Sequence, residues 1–240
     1  MGNTSLRAGV VALLAAGLGL AVLPGTAFAA THAVNHLVSG HSRSHAMESS
    51  NWSGYVETGS GYTSASATWT VPSASGSGYS SAWVGIDGDG NSDLIQTGTE
   101  SDANGQYYAW WEILPAAETP IDSVSVSPGD TITASVQQDG GSTWTISLTD
   151  ESNGESFTTQ QNYNGPGQSV EYIQEAPEVN GTISTMADFS TFSFSDLTVN
   201  GGNPNLTSDD EIVCVQNGTA VSTPSAPNSS GNGFSVTYTG

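Results

Sequence analysis

From Asn51 to the C-terminus no stretch of the chain carries a helical period. The apolar residues fall instead into short runs rich in Val, Ile, Thr, Trp, Tyr and Phe, each closed by a cluster of Gly, Ser, Asn or Asp. Such punctuation restricts the chain to short strands joined by turns. The runs are 66–72 (SATWTVP), 81–87 (SAWVGID), 93–100 (DLIQTGTE), 107–114 (YYAWWEIL), 131–137 (TITASVQ), 143–150 (TWTISLTD), 170–176 (VEYIQEA) and 189–199 (FSTFSFSDLTV). Residues 221–233 (VSTPSAPNSSGNG) read as a loop before a last strand at 234–238 (FSVTY). With turn signals at intervals of roughly 8 to 15 residues and no internal repeat, the expected fold is all-β, an antiparallel β-sandwich or barrel.

The N-terminus reads differently. Arg7, an apolar run over 8–23 and the small-residue signal Ala27-Phe28-Ala29 make residues 1–29 a secretory signal peptide. The run is short for a membrane helix and Pro24-Gly25 ends it, so the product is expected outside the cell and free of the membrane. Residues 30–47 hold all four histidines and Arg43 without apolar periodicity. A His-containing tract can bind metal, but this one reads as a flexible leader or short pro-segment. A single domain is then expected over 48–240.

Charge narrows the partners. The chain has 23 acidic residues, two basic ones and a net charge of −21. Once the signal is removed, Arg43 is the only strong cation. At neutral pH such a surface repels itself and repels nucleic acid. Near the sequence pI of about 4.1 the repulsion fades, so acid is tolerated better than base, and a monomer is expected away from that pH. Cys214 is the only cysteine, which excludes an internal disulfide.

The same inventory removes most catalytic chemistries from the domain. Without histidine there is no Ser-His-Asp or Cys-His arrangement and no His/Cys zinc site. Without lysine there is no Ser-Lys dyad and no Schiff base. No GxGxxG or Walker pattern is present, and no cofactor or metal is expected. The segment 87–93 (DGDGNSD) imitates the start of an EF-hand loop, but Ser92 stands where glycine is needed and Gly98 where the closing Glu belongs, so it reads as a hairpin turn. Any enzyme here moves protons with a carboxyl group and works best in acid.

Residues two apart on a strand share a face. Trp83 pairs with Asp87 on this rule, Gln96 with Glu100, Trp110 with Glu112, and Glu171 with Glu175. Acids, amides and indoles lining one concave face suit a groove for an extended polymer; the same pattern also fits core tryptophans beside solvated acids.

Seven segments in order then become recognisable: 51–56 (NWSGYV), 67–73 (ATWTVPS), 82–90 (AWVGIDGDG), 94–100 (LIQTGTE), 108–115 (YAWWEILP), 127–132 (SPGDTI) and 170–176 (VEYIQEA). Together they resemble the secreted glutamic peptidases, the eqolisins, across roughly residues 50–200. The resemblance implies a sandwich of two curved antiparallel sheets, similar to concanavalin-like lectins and glucanases, and an acid endopeptidase acting on protein or peptide substrates. It carries the catalytic glutamine onto Gln96 and the catalytic glutamate onto Glu175. Trp52, Trp83, Asp87, Glu100, Trp110, Glu112 and Glu171 are the residues expected to bind substrate or support the pair. Two departures stand out. Glu175 is followed by Ala176-Pro177 where fungal members carry an acid, and the fungal cysteines are missing, as in a bacterial-type member.

Two rival readings remain at this level. A two-carboxylate glycoside hydrolase needs acids about 5–10 Å apart. Glu171 and Glu175 on one strand would lie about 13 Å apart, which leaves an inter-strand pair such as Glu112 with Glu175. A carbohydrate-binding module would use Trp and Tyr as sugar platforms. Five mature N-x-S/T sequons begin at Asn51, Asn180, Asn205, Asn217 and Asn228.

Overall fold

The computed structural model describes residues 46–240. The expected signal peptide and residues 30–45 of the expected leader lie outside the described residues. The first strands are β1 (Met47–Ser49), β2 (Trp52–Thr58), β3 (Ser64–Thr70), β4 (Ala74–Ser75), β5 (Ser80–Ile86), β6 (Ile95–Ser101) and β7 (Tyr107–Ile113). The middle of the chain supplies β8 (Thr119–Pro120), β9 (Thr131–Gly140), β10 (Thr143–Asp150), β11 (Ser156–Asn162) and β12 (Ser169–Glu175). Then come β13 (Glu178–Val179), β14 (Thr182–Ile183), β15 (Asp188–Phe189), β16 (Phe192–Val199), β17 (Glu211–Gln216), β18 (Thr219–Pro224) and β19 (Phe234–Tyr238). Among the described residues the only helical element is a single 3-10 turn at Ser208–Asp210.

One hydrogen-bonded path runs β11-β10-β9-β3-β16-β19-β18-β17-β2-β12-β5-β6-β7-β8, with β1 beside β17. The named strands pair antiparallel except β1 with β17, which is parallel. The path folds over on itself, so that β3, β9 and β10 lie face to face with β5 and β6. These are the two curved layers of a concanavalin-like β-sandwich.

Alternation along each strand builds the core between the layers. One layer contributes Trp69, Ile132, Ala134, Val136, Trp144, Ile146 and Leu148, and the other Ala82, Val84, Ile86, Ile95, Ala109, Val170 and Tyr172. On β10 every second residue is buried, leaving the other face half-exposed. β5, β6 and β12 are buried at every position, on both faces. Their second face therefore does something other than meet solvent.

The strands expected from sequence are present, with additions. β2, β11, β17 and β18 lie outside the runs read as strands. Residues 221–224, expected in a loop, belong to β18, because Asn217 and Gly218 close a tight hairpin with positive φ angles of 53° and 77°. Strand pairing also begins one residue early, Met47 standing opposite Ile212.

Candidate active site

The second face of β2, β12, β5, β6 and β7 collects almost every residue singled out from sequence. Register sets them in three rows across the sheet. Glu171, Gly85, Gln96 and Glu112 form the first row. Ile173, Trp83, Gly98 and Trp110 form the second. Glu175, Ser81, Glu100 and Tyr108 form the third, with Trp52 opposite Glu175 on β2. Trp52, Trp83 and Trp110 pack with Val56, Leu94, Ile173 and Ile212 in a cluster separate from the main core. The face is thus both a second apolar cluster and a bed for buried acids.

By register alone Gln96 and Glu175 are not neighbours, being two strands and four residues apart. The Trp83 side chain fills the row between them. A Cβ at Gly85 would lie 2.9 Å from Trp83 Cζ3 and 3.1 Å from Gln96 Cβ, so the benzo edge of the indole rests over Gly85 beside Gln96. At the opposite edge Trp83 Nε1 donates to Glu175 Oε2 at 2.8 Å. Gly98 makes this position available: a Cβ there would meet Ala82 O at 2.3 Å and Trp83 Cβ at 2.6 Å. Trp52 braces the indole edge-on, with centroids 5.1 Å apart.

Each member of the pair has its own polar support. Gln96 Nε2 donates to Glu112 Oε2 at 2.7 Å. Since a carboxylate only accepts, this contact fixes which way the carboxamide points. The second N–H remains available, and Gln96 Oε1 is buried without a hydrogen-bond partner among the described residues. Glu175 is fully buried and accepts from Asn51 Nδ2 at 2.9 Å as well as from Trp83. Glu100 and Tyr108 meet at 2.7 Å, with Glu118 2.9 Å from the same phenol. Burial, with the charges of Glu100 and Glu118, pushes the Tyr108 phenol far above the ordinary tyrosine range.

Glu171 is also fully buried, and desolvation holds its pKa well above the usual carboxylate range, with Asp89 and Asp87 adding to the effect. Burial thus disfavours a charge on Glu171 in the Gln96 row. Asp87 stands apart from both. At φ 67° it turns toward the loop before β12, accepting from Tyr163 Oη at 2.7 Å, Gln168 N at 2.8 Å and Gly167 N at 2.9 Å. It anchors the approach to β12, which carries Glu171 and Glu175. The segment 87–93 connects antiparallel β5 and β6, with Asn91 folded back on Asp87 at 3.2 Å.

Sequence reasoning missed Asn51 as a site residue and met it only as the first residue of the segment 51–56 and of a sequon. Its contact with Glu175 spans 124 positions of chain, so no local signal announces it. Tyr108 and Glu118 were missed as well, although Tyr108 obeys the same two-residue rule that picked out Trp110 and Glu112.

Residues 50–238 match the peptidase A4 family. Aspergillopepsin-2 of Aspergillus niger is 30% identical over 221 residues, covering 79% of this chain and 78% of its own length. The crystal structure of scytalido-glutamic peptidase with a transition state analog inhibitor superimposes with a TM-score of 0.71 at 29% identity, covering 79% of this chain and 98% of that one. A second solved structure is that of SCP-B, a member of the eqolisin family, in a complex with the tripeptide Ala-Ile-His. It gives a TM-score of 0.65 at 29% identity, with 79% of this chain and 98% of that one covered.

Proposed function

The chain belongs to the peptidase A4 family of glutamic peptidases and hydrolyses peptide bonds, and we propose that it does so as a secreted acid endopeptidase whose reacting groups are Glu175 and Gln96. Glu175, as carboxylate, removes a proton from a water whose oxygen attacks the scissile carbonyl carbon. The developing oxyanion receives the free N–H of Gln96, while Glu112 holds the other. When the C–N bond breaks, the proton on Glu175 passes to the leaving amine and the carboxylate is restored. A well-aimed oxyanion donor is worth about 3 kcal/mol of barrier.

The observation that carries this reading is the Trp83 indole, which hydrogen-bonds Glu175 at one edge and at the other lies over Gly85, the residue opposite Gln96 in the ladder. It ties the amide and the acid into one site despite their stagger in the ladder. The same surroundings allow the base to work in acid. A buried carboxyl without donors would be protonated in acid and useless as a base, whereas two N–H donors favour its ionised form. A carboxamide donor keeps its function at any pH.

The test is digestion of an unfolded protein by the mature secreted chain from about pH 2 to pH 7, a window bracketing the carboxylate pKa range, with fragments read by mass spectrometry. Internal cleavage confined to the acid side is expected. Intact substrate at every pH, from protein shown to be folded, would overturn the proposal.

A further inference from the structure

Beyond the Gln96–Glu175 pair, the structure places a short chain of hydrogen bonds behind Glu175. Asn51 Nδ2 donates to Glu175 Oε1 at 2.9 Å, and Ser49 Oγ donates to Asn51 Oδ1 at 2.9 Å. Ser49 Oγ also accepts from the backbone N–H of Trp52 at 3.1 Å and of Asn51 at 3.3 Å. With its lone pairs occupied by backbone donors, its single proton is committed to Asn51 Oδ1. The carboxamide is thereby locked with its nitrogen toward Glu175. The backbone grips the same place, since Ala176 N–H donates to Asn51 O at 2.9 Å. Asn51 itself is 1% exposed.

We propose that Asn51, oriented by Ser49, is the positioning residue of the Glu175 carboxylate, which makes β1 and the turn after it a working part of the active site. The inference rests on the reading of Glu175 as the base. Residues 46–240 contain no Lys, Arg or His, so within the described domain neutral donors do the work that a cation does elsewhere. The titratable groups facing Glu175 leave the task to them. Cys214 lies on β17 opposite Ser49, its thiol pushed up to about 12 by burial and by the Glu175 charge. Glu171 shares β12, and Glu100 stands two strands away in the Glu175 row. None of these favours an ionised Glu175. The sequon at Asn51 is a structural amide rather than a glycan acceptor, because a sugar on Nδ2 would occupy the place of Glu175.

The test compares kcat and KM across pH for the mature secreted enzyme and for Asn51→Ala, Asn51→Asp, Ser49→Ala and Ser49→Thr. Loss of one charge-assisted hydrogen bond corresponds to a fall in kcat of about 10- to 100-fold. For Asn51→Ala that fall is expected with KM nearly unchanged. The acidic limb of the kcat/KM profile should move up by about one pH unit. Asn51→Asp, which sets a second carboxyl against the first, should move it further. Ser49→Ala is expected to shift the limb in the same direction by less, and Ser49→Thr, which keeps the hydroxyl, to restore it. A purely structural role would lower the melting temperature and leave the limb in place; that result in folded Asn51→Ala overturns the proposal. Should Asn51 variants fail to fold, an unmoved limb in Ser49→Ala does the same. Glu175→Gln is run alongside: if it stays active, the base assignment itself has failed, whatever the Asn51 variants show.

Discussion

Gln96 Nε2 sits 2.7 Å from Glu112 Oε2, and this single contact decides which atom of the Gln96 carboxamide faces that acid. An amide held by a carboxylate cannot present its oxygen there. Glu112→Gln offers both a donor and an acceptor, so the Gln96 amide can turn over. A loss of about 10- to 100-fold in kcat is expected, as for one charge-assisted hydrogen bond, with KM little changed. Steady-state kinetics on a peptide substrate check it; an unchanged kcat would remove Glu112 from the machinery.

Gly85 and Gly98 both lie under Trp83, yet substitution is expected to act on different properties. A methyl at Gly98 meets the Ala82 carbonyl oxygen at 2.3 Å, and backbone cannot swing aside. Gly98→Ala should destabilise by more than about 2 kcal/mol, visible as a large fall in melting temperature. A methyl at Gly85 meets the rim of the Trp83 ring at 2.9 Å, which can tilt away. Gly85→Ala should stay folded and lose activity, since tilting the indole moves the spacer between Gln96 and Glu175. Equal melting temperatures for the two variants would contradict this division.

Stability should fall as pH rises. Glu171, Asp89, Glu57 and Glu211 all have raised pKa values, in each case chiefly through burial. A carboxyl whose folded pKa exceeds its unfolded value leaves the folded chain holding more protons between the two. Its contribution is therefore complete below the unfolded value of about 4 and is lost as pH rises through the folded one. Melting temperatures measured from acid to neutral pH should decline over that window. Glu171→Gln, which cannot ionise, should flatten the decline and be the more stable protein at neutral pH. A melting temperature that rises toward neutrality would contradict the assignment.

Asp87 holds the loop before β12 through Tyr163, Gly167 and Gln168. Asp87→Ala strands those donors and should cost about 2–4 kcal/mol. Hydrogen exchange should show residues 163–169 opening first. Unchanged protection there would mean that the loop is held by other contacts.

How much of this was legible in the sequence depended on whether the signal was local. The rule that alternate residues share a face found Trp83, Gln96, Glu112, Glu171 and Glu175 one strand at a time, and neighbouring strands then brought those faces together. Asp87 was legible by name but not by role, because its positive φ turns it off the strand rule. Asn51 and Ser49 were invisible as site residues, since the link from Asn51 to Glu175 joins segments 124 positions apart in the chain. β11 escaped because Ser156–Asn162 is an edge strand with little apolar alternation. The β17–β18 hairpin carried a readable sign in Asn217-Gly218, overshadowed by the Pro, Ser and Asn residues that follow. The stagger between Gln96 and Glu175 follows from register, which no pattern in a single sequence specifies.

The central claim is that Glu175 is the base that activates water. The most direct measurement is the single-turnover rate of Glu175→Gln in acid, on a protein whose melting temperature and circular dichroism match the parent. Glutamine preserves shape but cannot take a proton, and its single carbonyl oxygen can accept from Asn51 Nδ2 or from Trp83 Nε1 but not replace both acceptors. A rate reduced by at least about 100-fold, the lower range of what general-base catalysis contributes, is the expected result. A folded Glu175→Gln that cleaves at the parental rate would contradict the claim and shift the search for the base to the other buried carboxyls of the same face.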